Sequence, residues 1–127
     1  LGSVVKDAFV INFAVEFEIT AFKTYNNQEV ILNCITELQD YFNIDKWQVN
    51  QPIIISEIMN LLGGTLGVQT VENVELTNKS GESAGYSQYK YDFVSATRKG
   101  VIYPSLDPSI FELKFPNADI RGRVTTY

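Results

Sequence analysis

The segment from Phe9 to Phe22 constrains the fold of this chain more than any other. Its odd positions are apolar throughout: Phe9, Ile11, Phe13, Val15, Phe17, Ile19 and Ala21. The even positions from Asn12 to Thr20 are small or polar. Because successive side chains of a β-strand point to opposite faces, this alternation predicts a long strand with one face in a core. Each large apolar side chain on that face contributes about 1.5–3 kcal/mol if it is fully buried.

The composition favours one globular domain without a catalytic or metal-binding apparatus. The chain has 127 residues, of which 45% are hydrophobic and 13% aromatic, as in ordinary globular proteins. Its net charge of −5 argues against nucleic-acid binding, which needs clustered Lys and Arg. It has no histidine, the commonest general base and metal ligand. No stretch approaches the ~20 apolar residues of a membrane helix, so we expect no membrane partner. From the composition as a whole we also expect no cofactor, no metal and no nucleic-acid partner.

The residues after the first strand predict a helix from Gln28 to Phe42. Apolar residues recur there at helical spacing. Asn26 and Glu29 have the spacing of a capping box, which marks the start of the helix. Cys34, the only cysteine, falls on the apolar stripe. It has no partner for an internal disulfide, and we expect a buried thiol rather than a reactive one.

The middle of the chain predicts a second helix and two more strands. Ser56 is a suitable N-cap, and the glycines at 63 and 64 suit the end of a short helix. Alternating residues predict strands at Val71–Asn78 and Gln88–Val94. The polar, glycine-containing loop between them favours an antiparallel hairpin.

These elements predict an α+β fold with a mixed, mostly antiparallel sheet, two helices packed on one face and an extended, proline-containing C-terminal arm. The core is expected over about residues 9–94 and the arm over about residues 100–127. Prolines at 104, 108 and 116 favour a sheet-edge position for the arm. The polar stretch 117–127 is expected to be mobile unless something holds it. Because the chain begins with Leu1 and not with methionine, we interpret it as a single domain cut from a longer protein.

Two groups of residues raise alternatives to a purely structural role. Glu16 and Glu18 share a strand face and are the only candidate acid–base pair, although a solvated polar face is the favoured interpretation. Exposed aromatic side chains are the basis of a second alternative, a glycan- or ligand-binding module. Its stacking residues would be Trp47, Tyr86, Tyr89 and Tyr91. For an acidic chain, contact with another protein is the favoured use of these tyrosines.

Five stretches occur in an order that resembles one known family. They are Val30–Asp45, Gln51–Ser56, Gly67–Val74, Asp92–Thr97 and Gly100–Val124. Together they resemble the C-terminal domain of the baseplate wedge subunit of T-even-type contractile-tail phages, a domain related to the baseplate J-like family. The likeness extends over nearly the whole chain.

The resemblance implies a structural protein of the virion, located in the tail baseplate and assembled in the host cytoplasm. Its implied partners are other copies of itself, as a dimer or ring, and other baseplate wedge proteins. It implies no enzyme activity and no catalytic residues. Since the larger N-terminal part of such a subunit is missing here, a local dimer is a better expectation for this fragment than a closed ring.

The arm is the first candidate for contact with a partner. Its apolar residues between Val101 and Phe115 come after strands and helices that already contain enough apolar residues to form a core. The alternative is that the arm folds back onto its own domain. The predicted contact residues, including two upstream tyrosines, are Tyr89, Tyr91, Tyr103, Ile110, Phe111, Leu113 and Phe115.

Overall fold

The computed structural model describes residues 8–125. Residues 1–7, where the non-methionine start lies, and the end of the tail at 126–127 are outside the described residues. The strands are β1 (Phe9–Ala21), β2 (Ile53–Ile54), β3 (Val68–Lys79), β4 (Thr97–Arg98), β5 (Val101–Ile102), β6 (Ser109–Glu112) and β7 (Ile120–Val124). The helices are α1 (Asn27–Tyr41), α2 (Ile55–Gly63) and α3 (Phe93–Ala96), with a 3₁₀ turn at Glu82–Ala84.

The predicted first strand is the central strand of the main sheet. β3 pairs with β1 in antiparallel orientation on one side. β6 and β7 both run parallel to β1 on its other side, first along Phe9–Asn12 and then along Val15–Ile19. A small antiparallel sheet has the order β2-β5-β4. The described chain is therefore α+β, with mixed and mostly antiparallel pairing, as predicted.

One face of β1 forms the centre of the core, and α1 and α2 cover it. The odd-numbered side chains from Ile11 to Ile19 are all buried. α1 contributes Val30, Cys34 and Leu38 to this core, and α2 contributes Ile58 and Leu62. The prediction of a buried thiol at Cys34 is confirmed. Burial is the main cause that raises the pKa of this thiol to about 11, and the hydrogen bond with Thr65 partly opposes it.

The cap predicted for the first helix is confirmed, whereas that of the second is wrong. The Asn26 side-chain oxygen accepts hydrogen bonds from the backbone N–H groups of Gln28, at 2.9 Å, and Glu29, at 3.2 Å. Ser56 instead lies inside the first turn of α2, and Ile54 occupies the cap position without a capping side chain. The chain passes directly from the β2 strand into α2, so no residue is left between them to act as a polar cap.

The predicted strand at Gln88–Val94 does not form. The Asn78 side-chain oxygen accepts the backbone N–H of Tyr91 at 3.0 Å, so a side chain takes the place of a neighbouring strand there. Asp92 then caps α3 by accepting the N–H groups of Val94 and Ser95. Consequently β3 pairs with β1 and not with this segment, and the predicted hairpin is wrong.

The C-terminal arm lies along the side of β1 that β3 leaves free, and it adds β6 and β7 to the main sheet. Ile110, Phe111, Leu113 and Ile120 are buried, so the core extends well beyond the predicted limit at residue 94. The tail expected to be mobile is held as far as Thr125, whose backbone N–H donates to the Ile19 carbonyl at 2.8 Å.

Candidate protein-contact surface

Three of the seven predicted contact residues belong to the core of their own domain. Ile110, Phe111 and Leu113 are buried. The Phe111 ring meets the Phe13 ring at a centroid distance of 6.2 Å and the Phe93 ring at 5.5 Å. These side chains leave no surface for a partner, so this part of the arm follows the alternative in which it folds back onto its own domain.

Three other predicted contact residues, Tyr89, Tyr91 and Tyr103, lie together. The rings of Tyr89 and Tyr91 stack with centroids 6.3 Å apart. The Tyr91 hydroxyl donates a hydrogen bond to the Tyr103 carbonyl, and the Tyr89 hydroxyl donates to Ser105 at 3.0 Å. Burial is the main cause that raises the pKa of the Tyr91 hydroxyl. Tyr103 itself is about half exposed.

Phe115, the remaining predicted residue, lies in a separate cluster. Its ring meets the Tyr86 ring edge-on at 5.3 Å. The Tyr86 hydroxyl donates to the Asp119 carboxylate at 2.7 Å, which fixes the ring just before β7 begins. Burial, followed by this hydrogen bond, raises the pKa of Tyr86. Phe115 remains partly exposed.

A groove of about 710 Å³ is lined by two of these tyrosines, Tyr91 and Tyr103. We call it the Tyr91–Leu106 groove. Its lining residues are Asn50, Tyr91, Asp92, Ser95, Ala96, Arg98, Tyr103, Pro104 and Leu106. It therefore combines an apolar wall with polar side chains that include one cation, Arg98, and one anion, Asp92.

A tight hairpin builds this groove. β4 and β5 are joined by Lys99 and Gly100, both with positive φ, at 51° and 78°. Positive φ at both central residues is what a two-residue hairpin turn of type I′ requires. β5 also pairs with β2, which anchors the hairpin on the core. The Tyr103 N–H donates to the Ala96 carbonyl at 3.1 Å and so ties the two walls together.

Apolar side chains are strongly exposed at and near the groove. Leu106 is 79% exposed, Val94 is 87% exposed and Tyr103 is 48% exposed. Sequence reasoning missed Leu106 and Val94. For Leu106 a signal existed, because prolines at 104 and 108 flank it and rule out a central strand position.

The charges at the groove have different roles. Asp92 is occupied as the α3 cap, and the Ser95 hydroxyl, which donates to it at 2.7 Å, is the first cause that lowers the pKa of Asp92. Arg98 forms no ion pair within residues 8–125. The groove therefore suits an apolar surface that carries a carboxylate.

The two candidate acid–base residues, Glu16 and Glu18, lie on the sheet face opposite the main core. Glu18 is bound by Arg123, whose Nε is 3.2 Å from Oε2, and by the Thr125 hydroxyl. Glu16 is in register with Glu75 on β3. Glu16 and Glu18 line a polar pocket of about 330 Å³ together with Glu75, Arg121 and Arg123, and Arg123 already binds Glu18 there.

Trp47 is not an exposed stacking residue. It is 4% exposed, and its ring packs at 5.7 Å from the Tyr41 ring and 5.3 Å from the Phe42 ring. It therefore cannot present a face to a sugar in this fold. Of the other aromatic residues predicted for a glycan site, Tyr86 lies in the Phe115 cluster and Tyr89 stacks on Phe9 at 4.9 Å.

Neither a metal cluster nor a membrane helix is found in the part of the chain that the structure describes. No three His, Cys, Asp or Glu side chains within residues 8–125 are grouped to hold a metal ion. No helix in this range has both the length and the apolar character to cross a membrane. In comparisons with known proteins, no family model matches the chain, and no curated protein matches it significantly.

Proposed function

We propose that this chain is a structural domain of a contractile phage tail baseplate, part of a wedge subunit that associates with itself and with other wedge proteins. The support comes from two directions. One is the resemblance to that family of five stretches in the same order: Val30–Asp45, Gln51–Ser56, Gly67–Val74, Asp92–Thr97 and Gly100–Val124. The other is the surface of the folded domain.

The Tyr91–Leu106 groove is the observation that supports assembly most. Leu106, which lines the groove, is 79% exposed, and nearby in the sequence Val94 is 87% exposed, whereas Phe93 and Phe111 are buried in the core. Exposed apolar groups that the fold does not need are typical of protein-contact surfaces when they are contiguous. A side chain such as Tyr103, with an apolar ring and a polar end, is enriched at such interfaces.

The groove is one part of a larger interface in this proposal. Stable interfaces bury about 800 Å² on each partner. Phe115, in the Tyr86 cluster, offers a second partly exposed aromatic ring from the same C-terminal arm. A partner that covers both would satisfy the original prediction for Tyr103 and Phe115.

Light scattering across a concentration series tests the proposal. We expect the chain to have the mass of a dimer or larger assembly, and a double variant, Tyr103→Ser with Leu106→Ser, to have the mass of a monomer. The melting temperature of the double variant should stay close to that of the parent chain, because both side chains are exposed.

A matched control changes exposed apolar residues elsewhere. Leu32→Ser with Leu66→Ser removes side chains that are 61% and 66% exposed but do not line the groove. This variant should keep the assembled mass. A parent chain that stays monomeric at every concentration, and that antibodies fail to detect at the baseplate end of contractile tails, would contradict the proposal.

A glycan-binding module has less support as an alternative. Trp47 is buried, and the Tyr86, Tyr89 and Tyr91 hydroxyls are hydrogen-bonded within the chain. Saturation-transfer NMR against a sugar panel distinguishes the two functions. A sugar signal that Tyr91→Ala abolishes would favour the glycan-binding function over assembly.

A further inference from the structure

β3 is an outer strand of the main sheet, and one of its edges has no strand partner among residues 8–125. In that sheet it pairs with β1 alone. The far side of β1 is occupied by β6 and β7. An unpaired edge presents a row of backbone N–H and C=O groups to which an extended segment of another chain can pair.

The two halves of β3 differ in how well this edge is protected. Natural proteins protect edges with bulges, prolines and lysines. The pairing of β3 with β1 shifts register at Val68–Thr70 and again at Val71–Asn73, so its first half is irregular. From Asn73 to Lys79 the register is unbroken, and residues 73–78 contain no proline or lysine. The Tyr91 backbone N–H donates to the Asn78 side chain, so Asn78 already contacts another segment of the chain. The regular, open stretch is therefore Asn73–Thr77.

The side chains of this open stretch specify what an added strand should carry. Val74 and Leu76 are in register with the buried Phe17 and Val15, so they lie on the core face of the sheet. Glu75, between them, lies on the opposite, solvent-facing side and is exposed. It has no ion pair or side-chain hydrogen bond within the described residues. A strand beside β3 therefore needs apolar side chains on one face and a cation on the other.

A second copy of this chain does not meet that requirement. If two copies paired antiparallel through Asn73–Thr77 about a two-fold axis, Glu75 would lie opposite its own symmetry mate. Like charges placed directly opposite each other destabilise a strand pair. Glu16, in register with Glu75 on β1, would add to the repulsion, and each copy carries a net charge of −5.

We propose that the Asn73–Thr77 edge of β3 binds an extended segment of a different protein as an added strand, in which apolar residues alternate with a lysine or arginine beside Glu75. Backbone hydrogen bonds supply affinity, and the alternating side chains supply selectivity. The inference depends on this strand edge alone and therefore goes beyond the proposed function, which depends on the Tyr91–Leu106 groove.

Two synthetic peptides test this inference on the intact chain. One alternates valine with lysine and threonine, and the other carries glutamate in place of each lysine. Fluorescence anisotropy should show binding of the lysine peptide, with the glutamate peptide weaker by roughly tenfold or more, equivalent to about 1.4 kcal/mol. Amide hydrogen exchange should slow at alternate residues of Asn73–Thr77 when the lysine peptide is bound.

Charge reversal separates a local effect from a global one. Glu75→Lys should invert the preference between the two peptides. Glu37→Lys makes the same charge change at an exposed position of α1 and should leave the preference unchanged. The inference would be overturned if the two variants changed the preference between the peptides equally. It would also be overturned if the lysine peptide did not bind.

Exchange measurements on the chain without peptide identify the other possible occupants. Slow exchange at Asn73–Thr77 in dilute solution would mean that residues outside 8–125 already cover the edge. Slow exchange that appears only at high concentration would mean that a second copy does. Either result overturns the inference, whereas loss of self-association in the groove variant leaves it intact.

Discussion

Two neighbouring segments that both contain apolar side chains differ in whether those side chains are buried. We call residues 94–106 the outer segment and residues 109–124 the inner segment. Leu106 and Val94 of the outer segment are almost fully exposed, whereas Ile110 and Phe111 of the inner segment are fully buried. Apolar character therefore does not distinguish the two segments.

The difference in burial arises because only the inner segment pairs with the central strand, β1. The inner segment runs parallel to β1 as β6 and β7, so its alternate side chains enter the core. The outer segment pairs only within the small β2-β5-β4 sheet. That sheet buries Ile102 and leaves Tyr103 and Leu106 outside. The inner segment therefore stabilises the fold, while the outer segment leaves apolar side chains exposed and available to a partner.

The largest expected effect comes from Phe111 of the inner segment. Phe111→Ala removes a fully buried ring that contacts Phe13 and Phe93. It should lower the free energy of unfolding by about 3–5 kcal/mol in chemical denaturation. A loss below about 1 kcal/mol, which is typical of surface positions, would remove the distinction between the two segments.

A smaller loss is expected at Gly122, where β7 lies against β1. A Cβ atom at this position would lie 2.0 Å from the Phe17 ring. Gly122→Ala should therefore force that ring to move and lower the free energy of unfolding by about 1–3 kcal/mol. Gly100→Ala provides a contrast in the outer segment, because no atom lies near its Cβ position and only its positive φ opposes the change. Equal thermal stability of Gly122→Ala and the parent chain would mean that the inner strand is not held in this position.

A pH effect should follow from the buried Cys34 in the core that the inner segment completes. Its pKa rises from 9.0 to about 11 on folding, chiefly because of burial. Between these values the unfolded chain has released the proton that the folded chain still holds, so the free energy of unfolding falls as the pH rises. Denaturation at pH values from 8 to 11 should show a steeper decline for the parent chain than for Cys34→Ala. Identical slopes would contradict a buried, neutral thiol.

The smallest effect on stability is expected in the outer segment. Leu106→Ser and Val94→Ser should each change the free energy of unfolding by no more than about 0.5 kcal/mol, because both side chains are already in solvent. Chemical denaturation of the isolated chain measures this. A loss comparable to that of Phe111→Ala would show that the outer segment stabilises the fold after all.

Local patterns were enough to predict part of this architecture. The long alternation of β1 and the Asn26 cap of α1 are signals contained within a few residues, and both predictions hold. The prediction of a strand at Gln88–Val94 was wrong because alternation cannot reveal that the Asn78 side chain accepts a hydrogen bond from the Tyr91 N–H. The division of the C-terminal arm also escaped prediction, since it depends on which residues reach the free side of β1.

The candidate site was predicted only in part for the same reason. Tyr89, Tyr91 and Tyr103 are three of the seven predicted contact residues, and the structure brings these three close together. Exposure at Leu106 depends on how the β4–β5 hairpin is held by β2, a contact between residues far apart in the sequence. No local pattern contains that information.

Footprinting with a small alkylating carbene tests most directly whether the outer segment is reserved for a partner. Labelling of the isolated chain and of the tail assembly proposed for it, each read by mass spectrometry, compares the same side chains in both states. We predict that Tyr103 and Leu106 are labelled in the isolated chain and protected in the assembly, while Leu32 on α1 is labelled in both. Equal labelling of Leu106 in the two states would contradict the account.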